Sequence, residues 1–249
     1  MPPVLVEWLN EYSMYVDDVR AGKVTHVQKS AKAGKTAVAP MLQTSWDQSA
    51  PYNNLCPEVN GQKTPTGCTA TAMAQIMAYW DYPTQGQGTK TYVPYCQECH
   101  SGAYPQQTVN FGATTYDWEN MVDAISSTSP VEQIDAIATI SYHCGVSVEM
   151  MYDHHGTGSG AYTTDVPAAI SNYFKYAPST VVSRQNNQTW DADLRNAIKM
   201  GRPVYYSGFD EEGGGHAFVC DGYDENGLFH FNFGWGGASD GYFTTEAME

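Results

Sequence analysis

With 249 residues, 42% of them hydrophobic and 18 of them tyrosine, the chain holds enough apolar material for one large folded domain or two small ones, which excludes a disordered segment. Lys and Arg number 12 against 27 Asp and Glu, and the resulting formal charge of −15 excludes phosphate-backbone binding as the main activity. No apolar run approaches the roughly 18 residues of a membrane span, so neither nucleic acid nor membrane is expected as a partner.

In chain order, Leu5, Trp8, Leu9, Tyr12, Tyr15, Val16 and Val19 recur at helical spacing and predict an amphipathic helix over 1–22, closed at Ala21-Gly22. No charged n-region followed by an apolar h-region precedes it. A composition rich in Tyr, Asn, Gly and Thr is compatible with an exported protein whose signal lies outside this sequence. Residues 23–38 change abruptly to Lys, Ala, Gly, Thr and Ser and predict an exposed basic linker, either a processing site or an ordinary tether. The main domain is expected over 39–249.

Within it, Trp46, Pro51, Tyr52 and Asn53 lie in an irregular segment rich in turn formers. A buried helix follows over 66–80, where Ala72, Met73, Ile76, Met77 and Trp80 are helically spaced behind Gly67-Cys68. Residues 84–115 read as loop with short strands. Further helices are predicted over 131–145, 164–176 and 194–200, and short aromatic or β-branched strands over 203–207, 216–223, 228–233 and 241–244. Helices first and strands afterwards imply an α+β domain with an antiparallel sheet in its C-terminal half.

Cys68 falls in the first turn of its helix. Free backbone N–H groups and the positive end of the helix dipole favour thiolate there, below the value of about 8.5 for free cysteine. A base is needed to complete the site. In the hairpin closed by Asp224-Glu225-Asn226-Gly227, residues whose numbers sum to 451 face one another, so His216 sits opposite Trp235 with Asn232 near the same end. A bulge, or one residue more or fewer in the loop, would turn Asn232 onto the His216 face. Gly213, Gly214 and Gly215 allow close backbone approach by an extended substrate. Thiolate, imidazole and amide together are the parts of a Cys-His-Asn nucleophilic site.

Several segments resemble, in order, the streptopain family of bacterial cysteine peptidases. They are Trp46-Asp47-Gln48 with Pro51-Tyr52-Asn53, Thr66-Gly67-Cys68 with Ala74-Gln75-Ile76-Met77, Pro203-Val204-Tyr205-Tyr206, Gly214-Gly215-His216-Ala217, and Asn232-Phe233-Gly234-Trp235-Gly236-Gly237 with Ser239-Asp240-Gly241. The resemblance implies a papain-like fold and a secreted endopeptidase made as a zymogen and working through a thioester acyl-enzyme, without a cofactor or metal. It implies that Cys68 is the nucleophile, His216 the general base and then acid, Asn232 the residue that orients the imidazole, and Trp235 a cover over that contact. The oxyanion would be held by the Cys68 N–H and a side-chain donor, for which Gln62 is the candidate. Ser207, Gly208, Gly214 and Gly215 would contact the substrate backbone, with an apolar substrate residue read two positions before the scissile bond. Partners are protein and peptide substrates and the chain's own pro-region, of which residues 1–22 resemble the last helix. The family pattern also continues with a further segment after Glu249.

Three other readings compete. A non-catalytic binding or inhibitory module could keep the same fold. Cys96-Gln97-Glu98-Cys99-His100 matches a c-type haem attachment string, although a local disulfide, a zinc loop with Cys56 or free thiols fit its Pro- and Gly-rich surroundings better. Asp153-His154-His155, followed by a glycine run, reads as a solvated loop and not as a metal or phosphate site. The six cysteines, Cys56, Cys68, Cys96, Cys99, Cys144 and Cys220, show no disulfide-dense spacing, which leaves at least one free for chemistry.

Overall fold

The structure is a computed structural model, and it describes residues 37–59, 61–94, 104–152, 158–209 and 214–248. The helix expected over 1–22, most of the basic linker, the Cys96-Cys99-His100 string and Asp153-His154-His155 lie outside the described residues. The elements run β1 (Glu58–Val59), β2 (Gln62–Lys63), α1 (Cys68–Trp80), β3 (Thr89–Tyr92), β4 (Gln107–Asn110), α2 (Val131–Ser147), α3 (Val166–Phe174), α4 (Trp190–Lys199), β5 (Val204–Phe209), β6 (Gly215–Tyr223), β7 (Phe229–Asn232) and β8 (Gly241–Phe243). Two short hairpins, β1-β2 and β3-β4, accompany a four-stranded antiparallel sheet in the order β5-β6-β7-β8. The expected α+β class and the papain-like division into a helical half and a sheet half are both present.

Helix α1 joins the two halves because it is apolar on more than one side. Ala70, Met73, Ala74 and Met77 pack into a core with Ile137, Ile140 and Cys144 of α2. Ala72 instead meets Val219 of β6, together with Leu42. The helix stops where Asp81 takes a left-handed conformation, φ 46°, and returns its N–H to Ala78 O. Its burial leaves it little freedom to move relative to either half.

The sheet uses its two faces differently, as the period of two demands. Tyr206, Phe218, Cys220, Phe231 and Phe233 form an aromatic face that packs on Leu194 and Ile198 of α4. Ala217, Val219 and Asp221 alternate onto the other face, where Val219 reaches α1. Fully buried Asp221 receives Leu42 N–H at 2.8 Å and His230 Nδ1 at 2.6 Å, tying the entering chain to the sheet. Val38, the last residue assigned to the linker, is already exchanging two 2.9 Å backbone bonds with Tyr223.

The hairpin register reaches its expected value by two departures that cancel. Asp224 and Leu228 close a loop one residue shorter than expected, so Tyr223 pairs with Phe229 and Gly222 with His230. The register then shifts between Cys220 and Gly222, and Asp221 is the extra residue. Beyond it Cys220 pairs with Phe231 and Val219 with Asn232, as the sum of 451 requires.

Candidate active site

Gly67 precedes α1 with φ 88°, and no side chain caps the helix. Thr66 places its Oγ1 2.9 Å from Thr71 Oγ1. The first-turn N–H groups are therefore free to serve other acceptors, and the Thr69 N–H bonds the Cys68 sulfur. Only glycine fits at 67: a Cβ would stand 2.6 Å from both Sδ and Cε of buried Met150 and 3.0 Å from Ser159 O, besides the strain of a positive φ.

His216 stands near the start of β6, on the aromatic face shared by Phe218 and Cys220. Its ring stacks on Trp235 with centroids 4.4 Å apart and 28° between planes, and Trp235 stacks in turn on Phe233 at 5.2 Å. Nε2 lies 2.9 Å from Phe233 O. A carbonyl can only accept, so Nε2 carries the proton in the neutral ring and Nδ1 is left as the acceptor for the thiol.

Sγ of Cys68 meets that imidazole. Burial is the largest single influence on the thiol and pushes its pKa up. The His216 charge, the His216 hydrogen bond and N–H bonds from Ala217 and Thr69 together outweigh it, and the net direction is down. In the other described cysteines burial wins, at Cys56 even against the Tyr152 hydrogen bond and the Lys63 charge, and they move the opposite way. Burial pushes Cys56 up to about 12, and Cys144 and Cys220 are raised as well. Among the described cysteines, Cys68 alone is lowered, which is the electrostatic signature of an activated nucleophile.

The role read for Asn232 needs correction. Asn232 pairs with Val219 and so shares its sheet face, whereas His216 lies on the opposite face. Its amide is used elsewhere: Nδ2 donates to Thr44 O at 2.7 Å, and Oδ1 accepts from Gln75 Nε2 at 2.9 Å and Gly234 N at 3.0 Å. The imidazole is held by the Phe233 carbonyl, and Asn232 acts one step back by holding the N–H of that same Phe233–Gly234 peptide.

Comparison with known proteins gives this geometry its family. The Peptidase C10 family model matches residues 46–243 and so takes in Cys68, His216 and Asn232. The chain belongs to the Peptidase C10 family. It is 35% identical to the thiol protease/hemagglutinin PrtT of Porphyromonas gingivalis over 98% of this chain, and 32% identical to streptopain of Streptococcus pyogenes over 94%. It spans 29% of the length of the first and 63% of the second. Active interpain A cysteine protease of Prevotella intermedia superposes with a TM-score of 0.77 at 37% identity, covering 86% of this chain and 90% of that one. A prointerpain A fragment from the same organism superposes with a TM-score of 0.81 at 35% identity, covering 98% of this chain and 77% of that one.

The remaining expected residues of this C10 chain lie on β5 and around the start of β6 beside His216, except Gln62. Gly208 pairs directly with His216 across the β5-β6 ladder and Ser207 with Ala217, whose N–H reaches the sulfur. Gly214 and Gly215 are exposed, and the exposed ring of Phe209 lies 3.0 Å from where a Cβ on Gly215 would be. Gln62 is exposed on β2, opposite Val59 in the hairpin that precedes α1. Sequence reasoning missed the Phe233 carbonyl and the Thr69 and Ala217 N–H groups because backbone atoms carry no residue-type signal. It quoted Gln75 and Asp240 within longer motifs without a role. Asp240 Oδ1 accepts the Phe233 N–H at 2.8 Å. Among the described residues no group of three or more His, Cys, Asp or Glu is placed to hold a metal ion.

Proposed function

We propose that this chain is a cysteine endopeptidase, and the observation that carries the reading is the meeting of Cys68 with His216 under conditions that lower the thiol pKa. The Cys68 thiolate attacks the scissile carbonyl while His216 holds the proton as imidazolium. His216 then gives that proton to the leaving amine, and a thioester to Cys68 remains. Water, deprotonated by His216, releases the acid and returns the enzyme. Trp235, stacked on the ring, keeps solvent from the Nε2–carbonyl bond and presents a π face to the imidazolium. The oxyanion is held by the Cys68 N–H, with Gln62 as the candidate second donor.

An extended substrate lies along Ser207, Gly208, Gly214 and Gly215. A cavity of about 500 Å³ opens beside β5, lined by Val166 and Ile170 of α3, Leu194 of α4, and Val204, Tyr205 and Ser207. Its apolar wall suits a hydrophobic substrate side chain, and Tyr205 ties it to the nucleophile's helix through a 3.4 Å contact to Thr69 Oγ1. Within this reading residues 1–22 are the last helix of a pro-region, cleavage within 23–36 separates it, and the protein acts outside the cell. The match to a prointerpain fragment over nearly the whole chain supports the pro-region assignment.

A thiol-directed epoxide is expected to label Cys68, and Cys68→Ala to abolish both labelling and cleavage of a denatured protein substrate. Persistent cleavage by that variant would overturn the mechanism, and labelling without cleavage would favour a binding module on the same fold. N-terminal sequencing of the incubated protein reports processing between residues 23 and 36.

A further inference from the structure

Gln75 is fully buried on α1, yet it is polar, and its amide joins the chain entering the domain, at Thr44 and Trp46, to Asn232 beside the catalytic turn. It lies seven residues beyond Cys68, about 10 Å along the helix axis and within about 20° of the same face. Its Oε1 accepts from Thr44 Oγ1 at 3.0 Å and from Trp46 N at 3.2 Å. Its Nε2 donates to Asn232 Oδ1 at 2.9 Å. The Trp46 and Gly234 N–H groups can meet only oxygen, which fixes the orientation of both amides without ambiguity.

These bonds close a ring. His216 Nε2–H meets the Phe233 carbonyl, the N–H of that peptide meets Asn232 Oδ1, Asn232 meets Gln75, and Gln75 shares its helix with Cys68. The helix that carries the nucleophile and the sheet that carries the base are thus connected by one continuous series of hydrogen bonds, buried except at the partly buried His216 end. Gln75 Nε2 and the Gly234 N–H converge on the same Asn232 Oδ1, so Gln75 acts by fixing where that oxygen sits, and through it the Phe233–Gly234 peptide whose carbonyl meets His216. Thr44 fixes the series from outside, because it donates to Gln75 and its carbonyl accepts from Asn232.

We propose that Gln75 is a positioning residue for the Cys68–His216 pair, acting through Asn232 and the Phe233–Gly234 peptide to hold the imidazole in the tautomer and place that take the thiol proton. The proposal rests on the peptidase reading for its consequence in turnover. The alkylation assay below reports on the thiol without any peptide substrate, so the two can fail separately.

Two variants separate the halves of the amide. Gln75→Met is close in volume and removes donor and acceptor, whereas Gln75→Glu keeps the acceptors for Thr44 and Trp46 and lacks the donor to Asn232. In folded protein, checked by circular dichroism, both are expected to lower kcat about 10- to 100-fold with KM within about twofold, since neither touches the substrate cavity. The rate of Cys68 alkylation by iodoacetamide should need a higher pH than in the wild type. A role in packing alone would lower the melting temperature and leave kcat and the alkylation profile of the folded protein unchanged, which overturns the proposal.

Should neither variant fold, the wild-type chain carries the test. Alkylating Cys68 should shift the Gln75 side-chain amide resonances more than those of Gln85 and Gln87, whose amides bond Gly112 O and Ser171 O. Equal or absent shifts would refute the coupling.

Discussion

Cys144 and His143 are neighbours on α2, both buried in the helical core, while Cys68 and His216 are far apart in sequence and meet where helix and sheet join. Burial alone acts on the first pair: it raises the Cys144 thiol and lowers the His143 imidazole to about 4, so both are neutral at ordinary pH. His143 has Tyr116 OH at 3.0 Å and Phe111 against its ring, and neither supplies a charge. Cys68 is also desolvated, but His216 and two backbone N–H groups reverse the outcome. Reactivity here comes from pairing across the junction of two halves, and proximity in sequence contributes nothing to it.

Deleting each thiol gives the largest separation between the two pairs. Cys68→Ala is expected to reduce cleavage by at least about 1,000-fold, since the nucleophile and not merely its activation is lost. Cys144→Ala should leave kcat/KM within a few-fold and cost about 1–2 kcal/mol of stability from the small cavity beside Met77. A Cys144→Ala protein that is folded yet inactive would break the comparison.

Removing the imidazole tests why Cys68 is lowered. In His216→Ala the opposing charge and hydrogen bond vanish while burial stays, so the thiol should titrate at higher pH than in the wild type. Iodoacetamide rates measured from pH 4 to 10 read this directly. Thiolate persists in the wild type until pH falls through the lowered pKa, and the alkylation curve of the variant should be displaced toward alkali. An unchanged curve would assign the activation to the helix terminus instead.

Each cysteine also has a glycine beside it, with different consequences. A Cβ on Gly67 collides with Met150 at a left-handed φ and displaces the start of α1. Gly67→Ala is therefore expected to cost about 3–4 kcal/mol and to remove activity from whatever protein still folds. A Cβ on Gly145 collides with the Tyr152 hydroxyl inside the helical core. Gly145→Ala should lower stability measurably in urea while leaving the folded fraction active.

The same contrast explains what could be read from the residues in advance. Gly67-Cys68 ahead of Ala72, Met73, Ile76 and Met77 placed Cys68 at the start of a buried helix, because a helix start and a periodic face are both written in residue types. The placement of His216 against Trp235 followed from strand arithmetic, although the shorter loop and the extra Asp221 had to compensate for one another. Asn232 was brought to the right end of the sheet and given the wrong contact. Its face depends on single-residue register, and the group that does hold the ring is a carbonyl that any residue could supply. Helix α4 begins at Trp190, earlier than expected, because Asp191 and Asp193 favour its first turn. The β1 and β2 strands, two residues each, are too short for alternation to register.

The last expected effect concerns His143 and runs through stability alone. Its folded pKa of about 4 lies below the unfolded value near 6.5, so between those limits the unfolded chain binds the proton first. Stability contributed by neutral His143 is therefore complete above about pH 6.5 and is lost as pH falls toward 4, by up to about 3 kcal/mol over the window. His143→Gln keeps a hydrogen-bond partner for Tyr116 and does not titrate. Urea midpoints at pH 5 and pH 7 should differ less in this variant than in the wild type, while its alkylation profile at Cys68 stays where it was. Equal midpoint differences in the two proteins would mean that His143 accepts its proton without unfolding the core, and the lowered pKa ascribed to its burial would have to be given up.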